Sequence, residues 1–157
     1  MTPLGIGIIG CGVISDIYMK NAARFPQLAL RAVADLRFEA AEARAQAHGI
    51  DALTPDALLA RDDIDIVVNL TVPAAHLEVG LAALRAGKHV YSEKPLAVSM
   101  SEARQLADLA AARGLRIGCA PDTFLGGAHQ TARALVDAGA IGRPVAGTAT
   151  LMLAGHE

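Results

Sequence analysis

The sequence predicts an α/β fold built on a doubly wound parallel sheet, and three observations carry that prediction. Short apolar runs alternate with longer Ala-rich stretches along most of the 157 residues. Gly49, Gly87, Gly114 and Gly139 each follow a helical stretch, at the position where a left-handed residue closes many helices. The first apolar run passes through a glycine-rich turn directly into the first helical stretch.

The runs that read as strands are 4–9, 28–34, 64–70, 88–92 and 115–119, with a weaker one at 51–53. Helices are expected over 13–24, 37–47, 55–61, 74–86, 101–113 and 127–138. Thr54 before Pro55 reads as a helix cap followed by the first helical position. Ser99 with Glu102 three residues later fits a capping box. Strands alternating with helices form right-handed crossovers and a parallel sheet, here expected in the order 3-2-1-4-5-6. The ligand crevice of such a sheet lies at the carboxyl ends of its strands. That places Gly10, Asp35, Thr71, Glu93 and Asp122 on one rim.

Composition agrees and removes other classes. Hydrophobic residues make up 53% of the chain, mostly Ala, Val, Leu and Ile, which suits helices on a buried sheet. The formal net charge is -2 with scattered Lys and Arg, and aromatics are only 3%, so a nucleic-acid partner is not expected. Cys11 and Cys119 are too few for a disulfide scaffold or a Cys-based zinc site, and both read as small apolar packing residues. The five histidines show no metal-ligand spacing, so no metal is expected; His48 and His129 read as surface residues of helices. The opening apolar run is cut by Gly10 and Gly12 and lacks a basic leader, so neither a signal peptide nor a membrane segment is expected, and the cytoplasm is the expected location.

The turn after the first strand reads Gly10-Cys11-Gly12-Val13-Ile14-Ser15, a Gly-x-Gly-x-x-Gly pattern with Ser in the third place. The first glycine makes the turn, the second admits a pyrophosphate close to the backbone, and the third position requires a small residue. The following helix would offer free N–H groups to the anion. An acid, Asp35, ends the second strand. This is the setting of a Rossmann dinucleotide site, in which the carboxylate accepts from the adenosine ribose hydroxyls and repels a 2′-phosphate. NAD is the expected cofactor. Asp35 could equally cap the next helix. Arg37 reads either as a solvated helix-start residue or as a partner for the 2′-phosphate of NADP.

Two further segments are informative: Asn69-Leu70-Thr71-Val72-Pro73-Ala74-Ala75-His76 and Val90-Tyr91-Ser92-Glu93-Lys94-Pro95-Leu96-Ala97. With the glycine turn and the Ala-Gly-Lys-His-Val run before Glu93-Lys94-Pro95, the chain resembles the glucose-fructose oxidoreductase / inositol dehydrogenase (Gfo/Idh/MocA) family along essentially its whole length. The resemblance implies an N-terminal NAD(P) domain, a C-terminal α/β domain that holds substrate, and a full-length homo-oligomer. It implies hydride transfer between a nicotinamide cofactor and a secondary alcohol of a sugar or polyol. It makes Lys94 the catalytic lysine. It sets Glu93 and Pro95 at the nicotinamide end, and Thr71, Pro73 and His76 around the cofactor ribose and nicotinamide. From the residues alone, His76 could equally be a helix-start residue packing near the loop, and Glu93 no more than a salt-bridge partner. The segment 120–127 departs from the family's Asn- and Arg-rich run, so no role is assigned to Asp122 or Thr123.

After Gly142-Arg143-Pro144, the run 145–153 reads as a strand with no helix behind it. The expected organisation is a cofactor domain over 1–143 and the start of a truncated second domain over 144–157. Two other functions compete with the dehydrogenase reading: a non-catalytic dinucleotide sensor, and an inactive truncated fragment whose exposed edge strand invites association.

Overall fold

The structure, a computed structural model, describes residues 2–150 and 152. The chain forms two compact units, Met1–Pro121 and Asp122–Glu157. The first contains β1 (Leu4–Ile9), α1 (Ser15–Ala22), β2 (Leu28–Ala34), α2 (Phe38–His48), β3 (Asp51–Leu53) and α3 (Pro55–Leu59). It continues through β4 (Ile66–Asn69), α4 (His76–Arg85), β5 (His89–Ser92), α5 (Met100–Ala112) and β6 (Ile117–Cys119). The second contains a 3-10 turn, Thr123–Leu125, and α6 (Gly127–Asp137). Gln130 Nε2 ties the two, donating to Phe124 O at 2.7 Å.

All strand pairs are parallel, in the order β3-β2-β1-β4-β5-β6, as the alternation predicts. Both faces of the sheet are covered, and side chains alternate between them with the period of two that strands impose. Ala32, Ala34, Ile9 and Val67 face one way and pack with Leu58, Leu84, Leu106 and Ala110 of α3, α4 and α5. Val33, Ile6, Ile8 and Val68 face the other way and pack with Met19 of α1 and with Ala41 and Ala45 of α2. Alanines on the helices let them approach the sheet closely.

The turn chemistry behaves as expected. Gly49, Gly87, Gly114 and Gly139 all have positive φ. Thr54 Oγ1 accepts from Ala57 N at 3.3 Å, and Ser99 Oγ from Glu102 N at 3.2 Å. The Glu102 carboxylate reaches back one residue further than a capping box requires, to Val98 N at 3.2 Å. β4 starts at Ile66 rather than at 64. Ile64 is apolar because it is buried in the core, not because it belongs to the ladder. His48 is not a free surface residue: it is half-buried and lies 3.1 Å from Asp16 Oδ1. Hydrogen bonds from Lys20 and then His48 hold the Asp16 carboxyl below the usual carboxylate range.

The strand expected over 145–153 does not form in residues 145–150 or at 152, while 151 and 153 lie outside the described residues. A strand exists through its ladder partner, and among the described residues none pairs with this run. No helix among the described residues is long and apolar enough to cross a membrane.

Candidate dinucleotide site

All six strands end on one rung of the ladder. Ile9 pairs with Ala34 and Asn69, Ala34 with Leu53, Asn69 with Ser92, and Ser92 with Cys119. The residues that follow therefore emerge in a row, with Asp35, Gly10, Leu70 and Glu93 side by side. The build-up of the sheet reverses between β1 and β4, which opens the crevice there. Asp35 and Glu93 stand three strand spacings apart, roughly 14 Å. That suits an extended ligand lying across the rim. Asp122, expected on the same rim, belongs to the second unit.

The glycine turn is built for close approach. Gly10 has φ +105, and a Cβ there would lie 2.6 Å from the C and O atoms of Leu70. Its N–H donates to Ala34 O at 2.8 Å. At Gly12 a Cβ would meet nothing within 4 Å, so this part of the turn faces open space. The Gly12 carbonyl is drawn inward by three donors: Ser15 Oγ at 2.7 Å, Ser15 N at 3.2 Å and Arg44 Nη2 at 3.2 Å. Ser15 thus does more than fit the small third position, because its hydroxyl closes the turn. α1 begins at Ser15, two residues later than expected. Among the described residues, no acceptor pairs with the amides of Gly12, Val13 and Ile14. Outward amides at a helix start are the donor set that a pyrophosphate requires.

Asp35 is held on both oxygens. Cys11 N donates to Oδ2 at 2.8 Å, and Arg37 N donates to Oδ1 at 2.9 Å. It is not the cap of α2; Arg37 occupies that position without a side-chain cap. The reason is geometric: its two oxygens are taken by Cys11 N and by Arg37 N, and Arg37 precedes the first residue of α2, so no amide within the helix is capped. Arg37 is exposed, and its side chain has no ion pair among the described residues. Beneath Asp35, Cys11 is buried with Sγ 3.6 Å from Ala34 O. Burial, and then the Asp35 charge, push its thiol up to about 11. The thiolate is the nucleophile, so Cys11 stays protonated and inert well above neutral pH. At pH 8, iodoacetamide followed by mass spectrometry should label Cys119 well before Cys11. Equal labelling would mean that Cys11 is not enclosed.

At the ends of β4 and β5 a polar network fixes two loops. Asn69 is fully buried. Its Oδ1 accepts from Thr71 Oγ1 at 2.7 Å and Thr71 N at 3.2 Å, and its Nδ2 donates to His76 O at 3.2 Å. His76 is also fully buried, with Nδ1 2.6 Å from Pro95 O and Nε2 3.0 Å from Thr71 O. The histidine expected beside the cofactor therefore lies under the rim, bridging the loop after β4 to the turn after β5. Pro73 is exposed and opens the 3-10 turn Pro73–Ala75. Glu93 accepts from Tyr18 Oη at 2.8 Å on Oε1 and from Lys94 N at 2.8 Å on Oε2. The Lys94–Pro95 peptide is cis. Lys94 is exposed, and its ammonium makes no hydrogen bond or ion pair among the described residues. The Glu93 carboxylate, the Lys94 N–H and the Pro95 carbonyl of this turn are each held by a partner.

Sequence reading missed several contributors. Asn69 could have been flagged as a polar residue ending a buried strand, since buried amides need partners. Tyr18 lies one helical turn after Ser15, on the face of α1 that meets the rim. Arg44 carried no local signal. Leu36 and Val72 are apolar yet 94% and 68% exposed at the ends of β2 and β4, on either side of the glycine turn. Side chains so placed offer apolar cover for a planar ring.

Comparison with known proteins follows the same lines. The model for an oxidoreductase family with an NAD-binding Rossmann fold (Gfo/Idh/MocA) matches residues 4–120. A dTDP-3,4-didehydro-2,6-dideoxy-alpha-D-glucose 3-reductase from Streptomyces violaceoruber is 41% identical over 144 residues, 88% of this chain and 41% of that protein. An inositol 2-dehydrogenase from Gluconacetobacter diazotrophicus is 33% identical over 118 residues, 73% of this chain and 35% of that protein. The crystal structure of a 3-ketoreductase from Actinomadura kijaniata, in complex with NADP and TDP-benzene, superposes with a TM-score of 0.80 at 33% identity, covering 88% of this chain and 43% of that one. The chain thus spans less than half the length of these proteins.

Proposed function

The chain belongs to the Gfo/Idh/MocA oxidoreductase family, and we propose that it is the cofactor-binding part of an enzyme moving a hydride between NAD and a secondary alcohol of a sugar or polyol. The observation that carries this reading is the single rim bearing the Asp35 carboxylate, the open amides of Gly12 to Ile14 and the free ammonium of Lys94. The amides would hold the pyrophosphate and Asp35 the adenosine ribose. Glu93, Pro95, Thr71 and Pro73 would border the other end. When bound, the dinucleotide supplies the hydride acceptor or donor. Lys94 orients the substrate hydroxyl, stabilises the oxyanion that develops on it and takes or returns its proton. A keto-sugar reductase and an inositol dehydrogenase among the relatives support a carbinol or ketone of a polyhydroxylated ring as substrate. In our reading residues 1–143 are the cofactor domain, and a further domain from about residue 144 supplies the substrate wall and the contacts of a homo-oligomer.

Calorimetric titration of this chain with NAD and NADP tests the cofactor assignment. Asp35 repels a 2′-phosphate and would leave it without a partner, so NAD should bind about tenfold tighter or more. Tighter binding of NADP would mean that Arg37 overrides Asp35. Binding of neither would remove the dinucleotide reading from this chain.

A further inference from the structure

We propose that Tyr18 is a positioning residue for the nicotinamide half of the site, acting through Glu93; this rests on the dinucleotide reading above. Tyr18 sits on α1, the helix that directly follows the open amides of Gly12 to Ile14. Its hydroxyl crosses the crevice to the rim after β5 and donates to Glu93 Oε1 at 2.8 Å. The other carboxylate oxygen holds the Lys94 backbone N–H at 2.8 Å. A hydrogen bond to a charged acceptor is strong and directional, so the hydroxyl fixes the carboxylate plane, and the carboxylate fixes the direction in which the chain presents Lys94. On the far side, His76 holds Pro95 O at 2.6 Å. The turn is gripped at both ends, and only the Tyr18 grip comes from the helix beside the glycine turn. One helix thereby relates the anion-binding amides to the lysine turn. The adenosine end depends on Asp35 instead, across three strands, and has no share in this bond.

The discriminating probe is ADP-ribose, which keeps the adenosine and pyrophosphate of NAD but lacks the nicotinamide. Calorimetry on the 157-residue chain would give Kd for both ligands in wild type, Tyr18→Phe, Glu93→Ala and the double variant. Tyr18→Phe keeps the ring and removes only the hydroxyl. It should weaken NAD about tenfold and change ADP-ribose by no more than about twofold, and the double variant should lose no more than Glu93→Ala alone. In the ligand-free chain, the Lys94 amide should exchange its hydrogen faster in Tyr18→Phe than in wild type. An equal loss for both ligands would make Tyr18 a merely structural residue, and no change in either NAD affinity or Lys94 exchange would overturn the proposal. A wild-type chain that binds ADP-ribose and NAD while Tyr18→Phe leaves their ratio unaltered would sink this inference and spare the dinucleotide reading. A wild-type chain that binds neither would overturn both.

Discussion

Gly10→Ala is expected to abolish measurable dinucleotide binding and to lower the unfolding free energy by about 2–5 kcal/mol. Two effects add. The residue has φ +105, which an L side chain rarely adopts. The new methyl would also stand 2.6 Å from the backbone of Leu70 and 2.8 Å from Thr71 N, and this backbone, tied to β1 by Leu70 N donating to Ile9 O at 2.8 Å, cannot swing aside as a side chain can. The start of the loop after β4 would be driven away from β1, taking the crevice with it. Gly12→Ala provides the contrast. Its Cβ meets nothing within 4 Å, so stability should stay within about 0.5 kcal/mol while the added methyl obstructs the approach of a pyrophosphate. Urea unfolding and calorimetry on both variants would check the pair. A Gly10→Ala chain with wild-type stability would show that the turn can be built in another conformation.

Lys94→Ala should cost the whole enzyme about 10²–10⁴-fold in kcat and leave NAD affinity within a few-fold. The side chain is exposed and its ammonium makes no hydrogen bond or ion pair among the described residues, so its removal leaves no partner stranded. The loss should fall on the chemical step, because the proton transfer and the oxyanion contact matter most in the transition state. Steady-state kinetics with the sugar or polyol substrate would decide. Unchanged turnover would remove Lys94 from the chemistry and favour the alternative in which the domain senses a dinucleotide without using it.

The fold was legible because its signals are local. A strand that begins at Leu28 and ends before Asp35, a helix closed by Gly49, and a cap at Thr54 each depend on neighbours a few residues away. The glycine turn and Asp35 were legible for the same reason, since the ladder places them on one rim once strand order is known. What lay hidden depends on contacts between distant segments. Tyr18 meets Glu93 across 75 positions, and Cys11 N meets Asp35 across 24. The family resemblance alone sets His76 beside the cofactor, and the other reading, a helix-start residue packed near the loop, is the one its place at the start of α4 matches. Its burial follows from two carbonyl oxygens, Thr71 O and Pro95 O, that face each other only after β4 and β5 have paired. The run 145–153 alternates like a strand, but alternation records only a preference for one covered face, and it becomes a strand only beside a partner.

The double grip on Asp35 also bears on how this site could change its cofactor. The same carboxylate that would choose between NAD and NADP pins the glycine turn through Cys11 N and the start of α2 through Arg37 N. In the proposed reading, selectivity and loop architecture would then rest on one side chain. Substituting Asp35 to admit a 2′-phosphate releases two backbone amides at once, so a lineage or an engineer would first have to supply the turn with a new acceptor. Arg37, already beside the gap, is the ready half of such an exchange, and the missing half is a short polar side chain at position 35 that can still accept from Cys11.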